Sequence, residues 1–195
     1  MAKLMKGGSQ VFLTTHSAAA VSEASSASLW YLDSTGKIGR LPDSVAQHQK
    51  RDPETFLARL AIIAEGPTEV GFVTYLLQKA IGTDLLHYGI WVTDGCGNDH
   101  TLQLLEGLVG SGLRFGGFAD DEGRAAVKWA RVQEKLGKLL FRWPTGCIDE
   151  SIIKLVPAEC LEEFIKDPDG DSGERLRTLA SRQSAGRVSR WLPAS

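Results

Sequence analysis

The feature that most constrains this chain is an alternation of short apolar segments with longer amphipathic segments between residues 60 and 143. Four apolar segments have the length and composition of buried strands, and runs with apolar residues at helical spacing separate them. The predicted strands are 60–64, 88–93, 115–119 and 139–143, and the predicted helices are 68–80, 101–109 and 124–138. This order predicts an α/β fold: a parallel sheet of about four strands with helices on both faces.

The residues before this alternation predict a separate, β-rich region. Residues 10–17 form an apolar run typical of a buried strand, and residues 28–33 and 37–41 flank a glycine-containing turn, which predicts a hairpin. Residues 43–53 are polar and show no core face. We therefore predict an N-terminal domain, a linker and a larger C-terminal domain that ends in a helical part, over residues 1–42, 43–57 and 58–195.

Composition excludes several classes of protein. The chain has 195 residues, 22 Lys and Arg against 24 Asp and Glu, and 43% hydrophobic residues, as in ordinary globular proteins. Its apolar runs are far shorter than the roughly 20 residues of a spanning helix, and no secretory signal is recognised. The three cysteines form no Cys-x-x-Cys pair, which argues against a disulfide framework or zinc knuckle and favours the cytoplasm.

Acidic residues directly follow three of the predicted strands. Glu65 follows the first strand with Glu69 four positions later, Asp94 follows the second, and residues 120–122 (Asp-Asp-Glu) follow the third. The carboxyl ends of parallel strands meet at one edge of a sheet, so we expect these side chains to lie close together. Two like charges about 4 Å apart cost about 4 kcal/mol at an effective dielectric near 20, and a cation relieves this cost.

Carboxylate oxygens are the ligands that Mg²⁺ prefers. Two such ions about 4 Å apart can bind the attacking and leaving oxygens of a phosphodiester, so the pattern indicates metal-assisted phosphoryl transfer. A structural interpretation stays open at this point. The helix dipole favours a glutamate such as Glu69 in the first turn, Asp94 is flanked by turn-forming glycines, and residues 120–123 have the composition of a turn.

Two segments resemble the motifs of a known family. Residues 61–69, Ala-Ile-Ile-Ala-Glu-Gly-Pro-Thr-Glu, resemble the opening motif of the TOPRIM fold as found in the overcoming-lysogenization-defect (OLD) nucleases. Residues 117–123 resemble the second motif, Asp-x-Asp, with Asp120 in the first position and Glu122 in place of the second aspartate. The resemblance covers residues 60–157 and implies a Rossmann-like TOPRIM domain that nicks and cleaves DNA with two Mg²⁺ or Mn²⁺ ions.

The resemblance also implies roles for individual residues. Glu65 and Glu69 would hold one ion, and Asp120 and Glu122 the other. Glu65, Asp120 and Glu122 would be catalytic, with Glu65 also able to act as general base or acid. Class 2 members of the family complete the cluster with a later serine and glutamate, which correspond to two residues of the segment 171–174, Ser172 and Glu174.

Two features leave this assignment open. Ser172 can instead cap a helix, and Glu150, after the fourth predicted strand, is an alternative contributor to the cluster. The family's late lysine has no counterpart after Glu174, where the charged residues include five arginines but no lysine. A TOPRIM remnant that binds metal, DNA or a partner ATPase without cleaving DNA is therefore the alternative to a nuclease.

The first segment resembles a different domain. Residues 10–17 are similar to the last core strand of ABC-type ATPases, with His16 at the switch position, and OLD proteins join such an ATPase to a TOPRIM domain. The chain contains no Gly-x-x-x-x-Gly-Lys-Ser/Thr phosphate-binding loop, so we expect no ATPase activity from it. The resemblance implies that residues 1–42 are the C-terminal remnant of an ABC-type ATPase domain. It also implies an ATPase domain or a second copy of the chain as a partner.

A row of basic residues predicts where DNA binds. Lys and Arg recur in steps of three and four from Arg124 to Arg142, opposite an apolar row that includes Trp129 and Leu139. Such a row can neutralise phosphates, and the predicted DNA-binding residues are Lys128, Arg131, Lys135 and Lys138. An ordinary amphipathic surface helix has the same pattern. A third function, that of a primase or topoisomerase relative, is less favoured, because the three tyrosines lie in predicted core segments.

Overall fold

The structure, a computed structural model, describes residues 10–24, 27–32, 36, 38–144, 146–157 and 159–160. The chain divides into two compact units, and the boundary falls between Gly146 and Cys147. Within the described residues, no helix combines the length and the apolar character that crossing a membrane requires.

The first unit begins with short elements. Helix α1 (Ala18–Glu23) starts at Ser17, whose hydroxyl accepts a hydrogen bond from the Ala20 amide at 3.4 Å. Strands β1 (Trp30–Leu32) and β2 (Ile38–Arg40) pair in antiparallel register, which confirms the predicted hairpin. A 3₁₀ turn over Asp43–Val45, helix α2 (Ala46–Arg51) and a second 3₁₀ turn over Pro53–Phe56 lead into the main sheet.

The main sheet contains four parallel strands, as the sequence predicts. They are β3 (Leu60–Ala64), β4 (Ile90–Asp94), β5 (Phe115–Asp120) and β6 (Leu140–Trp143), and their spatial order is β4-β3-β5-β6. Each neighbouring pair is parallel, and in register Ala64 lies opposite both Asp94 and Phe118. The fold class is therefore a Rossmann-like α/β sheet flanked by helices, with a small antiparallel sheet before it.

Three helices connect these strands and lie on both faces of the sheet. They are α3 (Pro67–Ile81), α4 (Asn98–Leu108) and α5 (Ala126–Leu136). On one face, Phe72 of α3 packs on Phe118 with 5.9 Å between ring centroids. On the other face, Leu105 of α4 lies so close to Gly117 that a Cβ there would come within 2.9 Å of its side chain. A larger residue at 117 would therefore require the side chains of Leu105 and Leu140 to move.

The order of the strands creates a switch point between β3 and β5. The connection that leaves β3 runs through α3 to β4 on one side, and the connection that leaves β5 runs through α5 to β6 on the other. These two helices lie on opposite faces, since α3 contacts Phe118 and Trp129 of α5 contacts Arg142 of β6. Open α/β sheets bind ligands at such a point, outside the carboxyl ends of the strands.

Two expectations for the N-terminal region are wrong. Residues 10–17, all described, form no strand, and Phe12 is 90% exposed. A single apolar segment cannot form a buried strand without a neighbouring strand to pair with. The expectation that residues 43–53 lack a core face also fails, because Val45 and His48 are buried. Whether residues 1–42 derive from an ATPase domain stays a prediction.

The second unit is described over residues 147–157 and 159–160. It contains helix α6 (Ile148–Leu155), which begins after Cys147. The Ser151 hydroxyl donates to the Cys147 carbonyl at 3.2 Å across the first turn of this helix. Ser172 and Glu174 lie outside the described residues, and so does the side chain of Glu150.

Candidate acidic site at the carboxyl edge of the sheet

Glu65 and Asp120, 55 positions apart in sequence, meet at the switch point. Glu65 directly follows β3 and Asp120 ends β5. The Glu65 amide donates to the Phe118 carbonyl at 3.0 Å, and the Asp120 amide donates to Glu65 Oε2 at 3.0 Å. The parallel pairing of β3 with β5 therefore brings the two motif residues into direct contact.

Glu69 joins them from the first turn of α3. Gly66 and Pro67 end the strand and start the helix, which directs the first helical turn over the end of β3. The Glu69 side chain folds back over this turn, since a methyl group on Gly66 would lie 3.1 Å from Glu69 Oε2. Glu69 and Asp120 are each only 7% exposed.

Three other predicted carboxylates act electrostatically on Glu65. Burial is the main cause that raises the pKa of Glu65. The hydrogen bond from the Asp120 amide opposes the shift, whereas the negative charges of Asp120, Glu69 and Glu122 add to it. Of the predicted acids, Asp120 therefore contacts Glu65 directly, and the charges of Glu69 and Glu122 act on it.

Glu122 lies at the exposed rim of this group. Its Oε2 forms an ion pair with Arg124 Nε at 3.4 Å, and both side chains are open to solvent. Such exposed pairs contribute little to stability. Glu122 can therefore exchange this partner for another at little cost.

Asp121, between the two motif acids, has a structural role. Its Oδ1 accepts from the Gly123 amide at 3.3 Å and from Arg142 Nη2 at 2.9 Å, and its carbonyl accepts from the Gly146 amide at 3.2 Å. The same Arg142 nitrogen donates to the Asp120 carbonyl at 3.1 Å. Arg142 ends the basic row of the sequence and lies in β6, as the predicted strand 139–143 implies, where it contacts the acidic loop.

Asp94 is a turn residue, as its structural interpretation predicts. Its Oδ1 accepts from the Cys96 amide at 2.7 Å. Arg51 donates to the Asp94 carbonyl and to Cys96 Sγ, which holds Cys96 at a φ of 63° that non-glycine residues rarely adopt. This loop nevertheless borders the acidic site, because the Gly97 amide donates to the Glu65 carbonyl at 2.7 Å.

A buried polar network links the Asp94 loop to helix α2 and strand β4. Arg51 Nη2 donates to His48 Nδ1 at 2.8 Å, so the ring proton is on Nε2, which donates to Thr93 Oγ1 at 3.1 Å. The Thr93 hydroxyl donates in turn to Asp52 Oδ2, which also accepts from Trp91 Nε1 at 3.0 Å. Burial lowers the pKa of His48 to about 4, and the charge of Arg51 adds to the shift. His48 is therefore neutral at physiological pH.

An open cavity of about 460 Å³ adjoins the rim of the acidic site. It lies where α4 begins, and its lining residues are Cys96, Gly97, Asn98, Asp99, His100 and Arg124. Arg124 is also the partner of Glu122, so the cavity and the acidic rim share one side chain.

The predicted DNA-binding residues are all exposed. Lys128, Arg131 and Lys135 project from α5, and Lys138 lies in the 3₁₀ turn that follows it. Trp129 and Val132 are buried on the opposite side of the helix. The helix stops at Leu136, which leaves Leu139 exposed rather than on the apolar face as expected.

The tyrosines differ from the prediction that all three lie in core segments. Tyr75 and Tyr88 are exposed. The Tyr31 hydroxyl donates to the Phe56 carbonyl, and burial raises its pKa.

The carboxylates supply oxygen ligands of the type that a hard divalent cation prefers, but among the described residues they are not grouped as a metal site. Glu65, Glu69, Asp120 and Glu122 supply the oxygen ligands that Mg²⁺ and Mn²⁺ prefer. Within the described part of the chain, however, no three His, Cys, Asp or Glu side chains are grouped so that they could hold a metal ion.

No protein-family model matches the chain, and a comparison with curated proteins gives no match either.

Proposed function

We propose that this chain is a divalent-metal-dependent DNA endonuclease or nickase module of the OLD type, built on a TOPRIM domain. The observation that supports the proposal is the direct contact between the Asp120 amide and Glu65 Oε2 at the switch point. Glu69 and Glu122 act electrostatically on the same carboxylate. An acid whose pKa is raised by burial and by neighbouring acids, at the carboxyl edge of a parallel sheet, is typical of a catalytic site.

The carboxylates would hold two Mg²⁺ or Mn²⁺ ions. Glu65 and Glu69 would bind one, and Asp120 and Glu122 the other. Such ions stabilise the charge that develops on the attacking and leaving oxygens of a phosphodiester. Burial and like charge make Glu65 a stronger base than an exposed glutamate, which suits it to accept or donate a proton during the reaction.

DNA would bind along α5. The exposed Lys128, Arg131 and Lys135 can neutralise phosphates. Helix α5 begins six residues after Asp120, so the basic side chains follow directly on the acidic loop. Binding through this helix would weaken steeply as the salt concentration rises.

A second candidate is a TOPRIM remnant that binds metal or DNA but does not cleave. Two observations favour it: the absence of a three-ligand group among the described side chains and the missing late lysine after Glu174. Its partner would be an ATPase domain or another copy of the chain.

Nicking of supercoiled plasmid with Mg²⁺ or Mn²⁺ tests the proposal. We expect the wild type to nick, Glu65→Gln to lose at least about 100-fold, since changing even residues that only orient metal ligands costs 10- to 100-fold, and Glu106→Gln to keep its activity. Glu106 is an exposed glutamate on α4 and so controls for the loss of one charge.

Calorimetry with Mn²⁺ separates the two candidates. Binding without cleavage supports the remnant. Equal cleavage by the wild type and Glu65→Gln, or neither binding nor cleavage by the wild type, would falsify the nuclease.

A further inference from the structure

We propose that Arg142 is a positioning residue that fixes Asp120 opposite Glu65. The inference rests on the proposed function, since it gives Arg142 a role in the same acidic site. The sequence places Arg142 in the fourth predicted strand, at the end of a basic row, but does not indicate what it contacts. In the structure it lies in β6, beside the end of β5.

Arg142 acts on the backbone of Asp120 from the face of the sheet opposite the Asp120 carboxylate. In register, Arg142 pairs with Ala119 and Trp143 pairs with Asp120. Side chains alternate between the two faces along a strand, so Arg142 lies on the face of α5 and the Asp120 side chain on the face of α3. The guanidinium therefore reaches the Asp120 carbonyl, at 3.1 Å, and is no candidate for a group that touches the substrate.

Two hydrogen bonds hold residue 120 from opposite sides. Its carbonyl accepts from Arg142 Nη2, and its amide donates to Glu65 Oε2 at 3.0 Å. The same Arg142 nitrogen also binds Asp121 Oδ1 at 2.9 Å. Loss of the guanidinium would remove its bonds to the Asp120 carbonyl and to Asp121, and we expect the loosened backbone at residues 120 and 121 to shift the Asp120 carboxylate relative to Glu65.

Packing fixes the guanidinium itself. The Arg142 side chain is only 17% exposed and stacks on the Trp129 ring, 4.7 Å from its centroid. Trp129 is buried, and its Nε1 donates to Asn98 Oδ1 at 2.9 Å, so the stacking surface is itself anchored to the start of α4. A lysine can supply the charge at this position but cannot both stack on the indole and donate to two oxygens in fixed geometry.

The test compares Arg142→Gln and Arg142→Lys with wild type and with Arg114→Gln. Arg114 is an exposed arginine just before β5, at the opposite edge of the sheet. Hydrogen exchange of the metal-free protein reports the Asp120 and Asp121 amides, calorimetry reports Mn²⁺ affinity, and plasmid nicking reports kcat and KM.

We expect Arg142→Gln to speed exchange in the segment 118–124 and to weaken Mn²⁺ binding about 10- to 100-fold, the range for residues that orient metal ligands. The value of kcat should fall while KM for DNA stays near that of wild type, because the phosphate-binding side chains are unchanged. Arg142→Lys should be intermediate in all three, and Arg114→Gln should match the wild type.

The outcomes distinguish this inference from the proposed function. A wild type that binds no Mn²⁺ contradicts the metal site, and the exchange rates of the metal-free variants then still decide whether Arg142 holds the loop. Unchanged exchange and unchanged Mn²⁺ affinity in Arg142→Gln overturn the inference while the nuclease stands. If Arg142→Gln shows no cooperative thermal transition, Arg142→Lys and Asp121→Asn, which each remove part of the contact, decide by the same measurements.

Discussion

The two loops that border Glu65 are each fixed by an arginine from another element, but their aspartates have different partners. The loop after β4 is held by Arg51, which contacts the Asp94 carbonyl, and the loop after β5 is held by Arg142, which contacts the Asp120 carbonyl. In the first loop the aspartate accepts from an amide of its own turn, the amide of Cys96. In the second, Asp120 lies beside Glu65 in a group of carboxylates whose charges raise the Glu65 pKa.

This difference indicates that an acidic residue after a strand does not by itself mark a functional site. Both aspartates end parallel strands next to β3, and both loops are fixed by an arginine from another element. Only the β5 loop lies at the switch point, where the connections leave on opposite faces of the sheet. The position of the strand in the sheet, rather than the residue type that follows it, separates a structural turn from a candidate active site.

The largest expected effect tests this contrast directly by replacing each aspartate with asparagine. Asp120→Asn should lower metal-dependent nicking at least about 100-fold, because it removes a charged ligand and not merely a residue that orients one. Asp94→Asn should leave the rate close to that of wild type, since the amide oxygen can still accept from Cys96. Rates under single-turnover conditions provide the measurement, and similar losses in both variants would show that the two loops are equivalent.

The sheet and the contact between Glu65 and Asp120 could be predicted from the sequence, whereas the role of Arg142 could not. The helical and strand periodicities between residues 60 and 143 predict the sheet, because each element buries its own regular face. The motif residues Glu65 and Asp120 were predicted to meet, because parallel strands bring their carboxyl ends to one edge. Arg142 falls in the fourth predicted strand, as the structure confirms, but its contacts with the acidic loop were not predicted, because a step of four residues joins it to the basic row of a helix that ends at Leu136.

Other features depend on tertiary contacts that no local pattern reports. His48 lies in a polar stretch of the sequence. It is nevertheless buried, because its two ring nitrogens form hydrogen bonds with Arg51 and Thr93. Residues 10–17 have the composition of a strand but form none, since a strand requires a neighbour that the composition cannot supply. In both cases the structure of the segment depends on the residues that it contacts and not on its own sequence alone.

A smaller effect, on stability rather than activity, concerns the neutral His48 in the network that supports the β4 loop. The pKa of His48 is lowered to about 4, so the unfolded chain binds more protons than the folded one between about pH 6.5 and 4. Stability should therefore fall as the pH drops through this window. His48 alone should account for a loss of about 2 kcal/mol between pH 7 and 4.5.

Urea unfolding of wild type and His48→Gln at both pH values measures this loss. Carboxylates titrate in the same range, so the result is the difference between the two proteins. The variant should be less stable at pH 7 and lose less on acidification. Parallel pH profiles for the two proteins would mean that protonation of His48 does not govern the β4 loop.

The smallest expected effect concerns Glu69, the acid whose position depends on the turn between β3 and α3. Gly66 has an extended backbone (φ −155°, ψ −177°), so alanine is permitted there, but its methyl group would lie 3.1 Å from Glu69 Oε2. The carboxylate must then move by a few tenths of an ångström, which should weaken Mn²⁺ binding and nicking by about threefold, given that a 1 Å misplacement costs about 100-fold. Gly71→Ala, in the same helix and with open space around it, is the matched control and should retain full activity while raising the thermal midpoint. Equal activity in the two variants would indicate that Glu69 only stabilises the start of the helix. Its role would then be structural, like that of Asp94 in its turn.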